Sequence, residues 1–180
     1  MNLLLKQGSL ILSLVLVFEM IIATHNNTLY GFTQEKTERK EEKINFVLEW
    51  GSTGSDKGEF EIPHSIAIDP FGNLFVTDTA NDRIQKFTSN GTFLMQWGTF
   101  GNKTGEFLLP LGIDIDSLNN LYIVDQAKSQ IQKFTSNGTF LMQLGNKTAF
   151  KQLEDIEIDS FDNIYVTDKG DSSIKKYEIA

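Results

Sequence analysis

The sequence holds no cysteine. Disulfides, a thiolate metal site and a lipoprotein cysteine anchor are therefore excluded. Histidine is nearly absent, with two in 180 residues, and a zinc site needs three or four ligands. Basic charge is scarce too. Sixteen Lys and Arg face 24 Asp and Glu, for a net charge of −8, so the basic face that a nucleic-acid backbone requires is missing. Long apolar runs are also lacking. Leu10 to Phe18 is nine residues with one Ser, and Met20 to Ala23 extends it past Glu19. That is signal-peptide length, short and interrupted for a membrane span. After Phe46 no stretch shows an apolar period of 3.6, which excludes a solenoid of helix pairs.

These absences divide the chain. Residues 1–24 read as a signal peptide or N-terminal anchor, with a buried N-terminal segment as the remaining alternative. Either of the first two places the rest outside the cytoplasm, secreted or held by the N-terminal segment, with no other membrane contact. Residues 25–43 alternate in charge (Glu35, Lys36, Glu38, Arg39, Lys40, Glu41, Glu42, Lys43) and read as a charged flexible stalk. Residues 44–180 are a single repeat-built segment, within the size of one modest domain.

What is present is duplication. Ile84 to Gln96 reads IQKFTSNGTFLMQ, and Ile131 to Gln143 repeats it letter for letter, 47 residues on. Trp50, Trp97 and Leu144 keep the same spacing. Asp69, Asp116 and Asp159, then Asp78, Asp125 and Asp168, then Phe87, Phe134 and Tyr177, follow at 47 and 43. The four lost residues fall in one loop, Gly145 to Asp159, where deletions are tolerated. A period in the forties points to propellers or solenoids.

Each unit has one grammar. Ile66–Asp69 reads as a short alternating strand, followed by the turn Pro70-Phe71-Gly72-Asn73, in which Gly72 suits positive φ. Asn119 and Asp162 stand at the same place and tolerate the left-handed region. Leu74–Asp78 is a second strand, Thr79–Asp82 a tight turn and Arg83–Phe87 a third strand. Ser89-Asn90-Gly91-Thr92 predicts a type I′ hairpin, leading to a fourth strand over Phe93–Trp97. Four short antiparallel strands per repeat is the signature of a β-propeller blade, so the fold class is all-β.

The residues Trp50-Gly51, Gly58-Glu59-Phe60, Pro63, Ile66-Ala67-Ile68-Asp69, Gly72-Asn73, Val76-Thr77-Asp78-Thr79, Asn81 and Arg83–Phe87 resemble the NHL repeat. The resemblance runs from about Phe46 to Tyr177. The second unit departs from it with Lys128 and Gln130, and the third with Leu153-Glu154-Asp155. It implies a propeller, commonly six-bladed, and no single activity.

Ile44–Trp50 matches a fourth strand whose first three strands are not upstream, and the third unit supplies three strands. The expected tally is twelve strands, about three blades, or half of a six-bladed ring. Three blades do not close a ring. The expected partner is a second copy or another propeller half, with the strand Ile44–Trp50 completing the partner's third blade; a truncated propeller remnant is the other reading.

Candidate sites are few. Asp69, Asp116 and Asp159 end the first strand of each unit and are candidates for a cation such as Ca²⁺ near one channel mouth. The competing reading, shared by Asp78, Asp125 and Asp168, is that each carboxylate caps its own turn. His64, on the loop before the first strand, joins the candidates because some NHL-type lyases place metal-binding His near that mouth; Leu111 and Glu154 stand at its equivalent positions. Gly51–Gly58 lacks the Gly-Lys-Ser/Thr ending of a phosphate loop. Sequons at Asn26, Asn90, Asn102, Asn137 and Asn146 are glycosylation candidates, although Asn-Gly at Asn90 and Asn137 also serves the hairpin. Trp50, Trp97 and the repeated Phe residues read as blade packing. No catalytic constellation or cofactor is evident. The leading expectation is a non-catalytic extracytoplasmic module binding a protein, peptide or glycan. The alternatives are a cation-dependent enzyme similar to NHL-type lyases or lactone hydrolases, and recognition of the kind seen in tripartite-motif ubiquitin ligases, for which nucleic acid is disfavoured by charge.

Overall fold

A computed structural model describes residues 43–146 and 148–178. The N-terminal segment 1–24, nearly all of the stalk, and Asn26 lie outside the described residues. Among those described, no helix is long and apolar enough to cross a membrane. The chain divides between Asn45 and Phe46, and the second unit carries all the strands.

Among the described residues eleven strands form three antiparallel sheets, each in sequential order. The first sheet is β1 (Pro63–Ile68), β2 (Leu74–Asp78), β3 (Arg83–Phe87) and β4 (Phe93–Trp97). The second is β5 (Pro110–Ile115), β6 (Asn120–Asp125), β7 (Gln130–Thr135) and β8 (Phe140–Leu144). The third has β9 (Leu153–Ile158), β10 (Ile164–Asp168) and β11 (Ser173–Tyr177). A single-turn 3-10 helix joins β2 to β3 (Thr79–Asn81) and β6 to β7 (Gln126–Lys128). The first strands β1, β5 and β9 lie side by side, so each blade packs its inner strand on the next.

Two apolar cores fill the gaps between successive blades. Phe75 and Ile84 of the first blade meet Ile113 and Leu121 of the second. Val124 and Ile131 of the second meet Ile156 and Ile164 of the third. The aromatics form repeating stacks. Phe60 lies 5.5 Å from Phe87, Phe107 lies 5.7 Å from Phe134, and Phe150 lies 6.0 Å from Tyr177. Trp50 on Phe87 and Trp97 on Phe134 repeat at 6.1 and 6.0 Å. Such pairs add to the area they bury.

Three expectations are corrected. Ile44–Trp50 is not a strand: the segment has no ladder, and Ile44 to Glu49 are exposed. A strand without neighbours has nothing to bond its backbone, so eleven strands form among the described residues rather than twelve. His64 sits within β1, at the end opposite Asp69, rather than on a loop before it. The hairpins are not type I′. The Gly91 N–H donates to Thr88 O at 3.0 Å, and of the two central candidates only Gly91 has positive φ, 79°. The turn therefore runs through Ser89 and Asn90 with Gly91 as a left-handed bulge residue, the three-residue hairpin solution. Gly138 repeats it, at φ 76°.

Candidate functional site

The turns after the first strands explain the aspartates that end them. Asp69 Oδ1 accepts from the N–H groups of Phe71 (2.9 Å) and Asn73 (2.8 Å), and Oδ2 from Asn73 Nδ2 at 2.8 Å. Asp116 repeats this with Leu118 and Asn120, and adds Lys133 Nζ at 2.9 Å. Asp159 repeats it with Phe161 and Asn163, and adds the Tyr165 hydroxyl at 3.1 Å. The Asn163 amide, with the N–H groups of Asn163 and Phe161, holds the Asp159 carboxyl down to about 2. Burial works against the Asp116 charge, but Asn120 and Lys133 lower it below its ordinary value. Gly72, Asn119 and Asp162 supply the left-handed residue of these turns.

Asp78, Asp125 and Asp168 do something the sequence reading did not foresee. Beyond their own turns, where the Asn81 amide donates to both Asp78 oxygens, they accept from the incoming loop between blades. Asp78 takes the Glu61 N–H at 2.7 Å, Asp125 those of Leu108 and Leu109 at 3.2 Å each, and Asp168 those of Gln152 and Lys151 at 2.9 and 3.1 Å. Each of these buried carboxylates also meets a cation, and the cation comes from a different sequence position every time. Arg83 Nε bonds Asp78 at 2.7 Å, and Nη2 reaches Asp56 O and Glu59 O. In the second blade Gln130 stands in Arg83's place. Lys128, from the turn, reaches the matching carbonyls, Lys103 O and Glu106 O, at 3.1 and 2.7 Å. In the third, Lys175 stands at the Gln85 position and reaches Asp168 and Ala149 O. Burial opposes the Asp168 charge, but Lys175 and the loop amides lower it well below the ordinary range.

Against this repeated frame the exceptions stand out. The inner strands read Ser65-Ile66-Ala67-Ile68-Asp69, Gly112-Ile113-Asp114-Ile115-Asp116 and Asp155-Ile156-Glu157-Ile158-Asp159. The isoleucines and terminal aspartates repeat, while Ala67 becomes Asp114 and then Glu157. Asp114 Oδ2 accepts the Ile158 N–H at 2.6 Å, bridging β5 to β9. Burial, with Asp155 nearby, raises the Asp114 carboxyl above its ordinary value. Burial, then the charges of Asp114 and Asp155, raise Glu157. Among the described residues no Lys or Arg forms an ion pair with any of these three. Asp114 also borders a hollow of about 350 Å³ at the ends of the inner strands, with Asp69, Asp116, Asp159 and Asp162 on its walls. The sequence reading found the strand-end acids and missed Asp114, Asp155 and Glu157. The signal was there: they are the acids that break the repeat.

Asp69, Asp116 and Asp159 thus share one hollow, while His64 lies at the far end of β1, exposed. Among the described residues no three His, Asp or Glu side chains converge as a metal-holding group. Asn90, Asn102, Asn137 and Asn146 are all exposed. Asn90 bonds its own turn threonines, and Asn146 Oδ1 accepts from the Thr148 N–H (2.9 Å) and hydroxyl (2.6 Å).

Known proteins share this architecture. A Bacteroides fragilis protein described as exported aligns with a TM-score of 0.54 at 20% identity, over 67% of this chain and 33% of its own. A luciferin-regenerating enzyme aligns at 0.52 and 20%, over 64% and 41%. Virginiamycin B lyase from Staphylococcus aureus aligns at 0.50 and 19%, over 65% and 41%. The chain spans between a third and about two fifths of these structures, and at such identities the likeness is one of fold. A family model described as a 6-bladed beta-propeller matches residues 52–144, just over half of the chain. Together with three sheets of up-and-down antiparallel strands packed blade on blade, that match places the chain in the 6-bladed beta-propeller family.

Proposed function

We propose that this protein is an extracytoplasmic binding module of the NHL type, and that its inner-strand acids receive a cationic segment of a protein or peptide partner. The observation that carries the reading is the replacement of Ala67 by Asp114 and Glu157 within an otherwise constant strand. An acid placed where the fold accepts alanine is not required by packing. Its raised carboxyl, beside a second acid and without a cation, is a charge that a ligand's ammonium or guanidinium group would relieve. The hollow beside it is concave and acidic, which also speeds the encounter with a cationic partner. The extracytoplasmic setting rests on the apolar run before residue 24 and agrees with the exported protein of similar fold.

The test is calorimetric titration of the full chain with an oligolysine peptide at low and high salt. Binding is expected at low salt and weakens as salt screens it. Asp114→Asn with Glu157→Gln is expected to reduce affinity by about tenfold, the scale of one or two lost ion pairs at a partly buried site. Equal affinity in the double variant would remove this surface as the site.

A further inference from the structure

The repeat makes a comparison available that a single blade does not. Every face between blades occurs twice inside the unit, so the faces left open can be matched to faces known to be covered. Ile66 of β1 is 56% exposed, whereas its counterparts Ile113 and Ile156, each packed against a preceding blade, are 3% and 4% exposed. Ile174 of β11 is 73% exposed, whereas Ile84 and Ile131, each packed against a following blade, are 0% and 1%. The open side of the first blade and the open side of the third are therefore the two halves of the junction that the fold already makes twice.

The segment Phe46–Trp50 belongs to the same comparison. It aligns with Phe93–Trp97 and Phe140–Leu144. Its Trp50 already occupies the place of a strand-end residue: it packs on Phe87 and covers Gly91 as Trp97 packs on Phe134 and covers Gly138. Yet Phe46, which aligns with Phe93 and Phe140, is 82% exposed. Those two rings stack edge-on against Phe87 and Phe134 at 5.9 and 5.7 Å. Tyr177, the third member of that set, has Phe150 on one side and no fourth-strand aromatic among the described residues. In that place is a mostly apolar cavity of about 330 Å³, walled by Ile131, Met142, Leu144, Ile164 and Tyr177, with Lys133 and Glu178 also on its lining. The ladders inside the first two blades fix the register. Gln85 faces Gln96 and Gln132 faces Gln143. By the same offsets Lys175 would face Glu49, so the neutral pair of the first two blades becomes a pair of opposite charge, as cross-strand neighbours favour.

We propose that Phe46–Trp50 of one chain is the fourth strand of the third blade of a second copy, laid along β11 with Phe46 in the cavity over Tyr177. The three described blades of each copy then close a six-bladed ring through two equivalent junctions. Pairing within one chain is out of reach, because Trp50 is seated on the first blade's outer hairpin and closing there would make a ring of three, below the four to eight that propellers use. The inference does not depend on which ligand the inner strands take.

The test uses the full chain, whose lack of cysteine gives a clean background. In the proposed register Leu48 faces Lys176, as Met95 faces Lys86, and facing residues are close enough for a disulfide. Both positions are exposed, so Leu48→Cys and Lys176→Cys leave the fold intact. Mixing the two single variants under mild oxidation is expected to give a disulfide-linked pair that neither gives alone. Light scattering is expected to give the mass of two wild-type chains, with Phe46→Ala weakening association by about tenfold or more, the scale of a central aromatic anchor. A single-chain mass at high micromolar concentration with a cooperative melt, a mixed-mass aggregate without the specific cross-link, or a disulfide formed within one chain carrying both cysteines would each overturn the proposal.

Discussion

The behaviour of single residues here is governed by a frame that tolerates relocation. A buried carboxylate after the second strand must be neutralised and the carbonyls of the incoming loop must find a donor, because either left alone is costly. Arg83, Lys128 and Lys175 meet this need from three positions of the repeat. The second blade's departure from the first blade's pattern at Lys128 and Gln130 is thus compensated, since the same carbonyls are bound by a different side chain. Lys128→Ala leaves Asp125 buried beside its loop without a cation and is expected to cost about 3 kcal/mol in chemical denaturation. Restoring the first blade's arrangement with Lys128→Asn and Gln130→Arg is expected to recover most of that loss. If the double variant is no more stable than Lys128→Ala, the equivalence of the three cations is wrong.

At the scale of elements, the sequence was legible where periodicity and turn chemistry act locally. The second, third and fourth strands fall where the alternation placed them, as at Leu74–Asp78, Arg83–Phe87 and Phe93–Trp97. Gly72, Asn119 and Asp162 adopt the left-handed conformation that their residue types allow. What was not legible depended on neighbours. Phe46–Trp50 carries a fourth strand's residues, but a strand needs a partner edge, and none lies beside it among the described residues. The hairpin type was misread because Asn-Gly fits two solutions. The threonines at Thr88 and Thr92, whose backbones pair across the bulge at 2.9 Å, favour the longer one. The missed acids, Asp114 and Glu157, sit on strands whose apolar pattern draws attention to the isoleucines between them. The hairpin makes its own prediction. Gly138 has φ 76°, and a Cβ there would lie 2.9 Å from the Trp97 ring. Gly138→Ala therefore adds backbone strain to a clash with a core aromatic, and is expected to cost about 2 kcal/mol. Adding Trp97→Leu, the residue the chain itself uses at Leu144, relieves the clash and should make the alanine less damaging. A thermal melt of the four proteins reads the coupling.

For the whole molecule, two sets of carboxylates pull stability in opposite directions as pH changes. Asp159, held down to about 2, and Asp116 and Asp168, also lowered, bind protons less readily in the folded chain than in the unfolded one. Their contribution is complete above the ordinary carboxylate range and is lost as pH falls from about 4 towards 2, where the unfolded chain takes up protons first. Asp114 and Glu157 are raised, as burial also raises Asp125 and Asp82, so the folded chain takes up their protons first. Their contribution is present at low pH and is lost as pH rises through their folded values. The thermal midpoint is therefore expected to rise as pH is lowered from neutrality towards the carboxylate range, pass a maximum, and then fall steeply below about 4. Asp114→Asn with Glu157→Gln should lessen the first limb, leaving the part that Asp125 and Asp82 contribute, and leave the second unchanged. An unchanged first limb would mean that these two acids do not oppose folding near neutrality, and would remove the electrostatic reason for them to seek a cationic partner. A cation that occupies the acidic surface should likewise raise the midpoint most at neutral pH and least near pH 4, because protonation and ligand compete for the same charge.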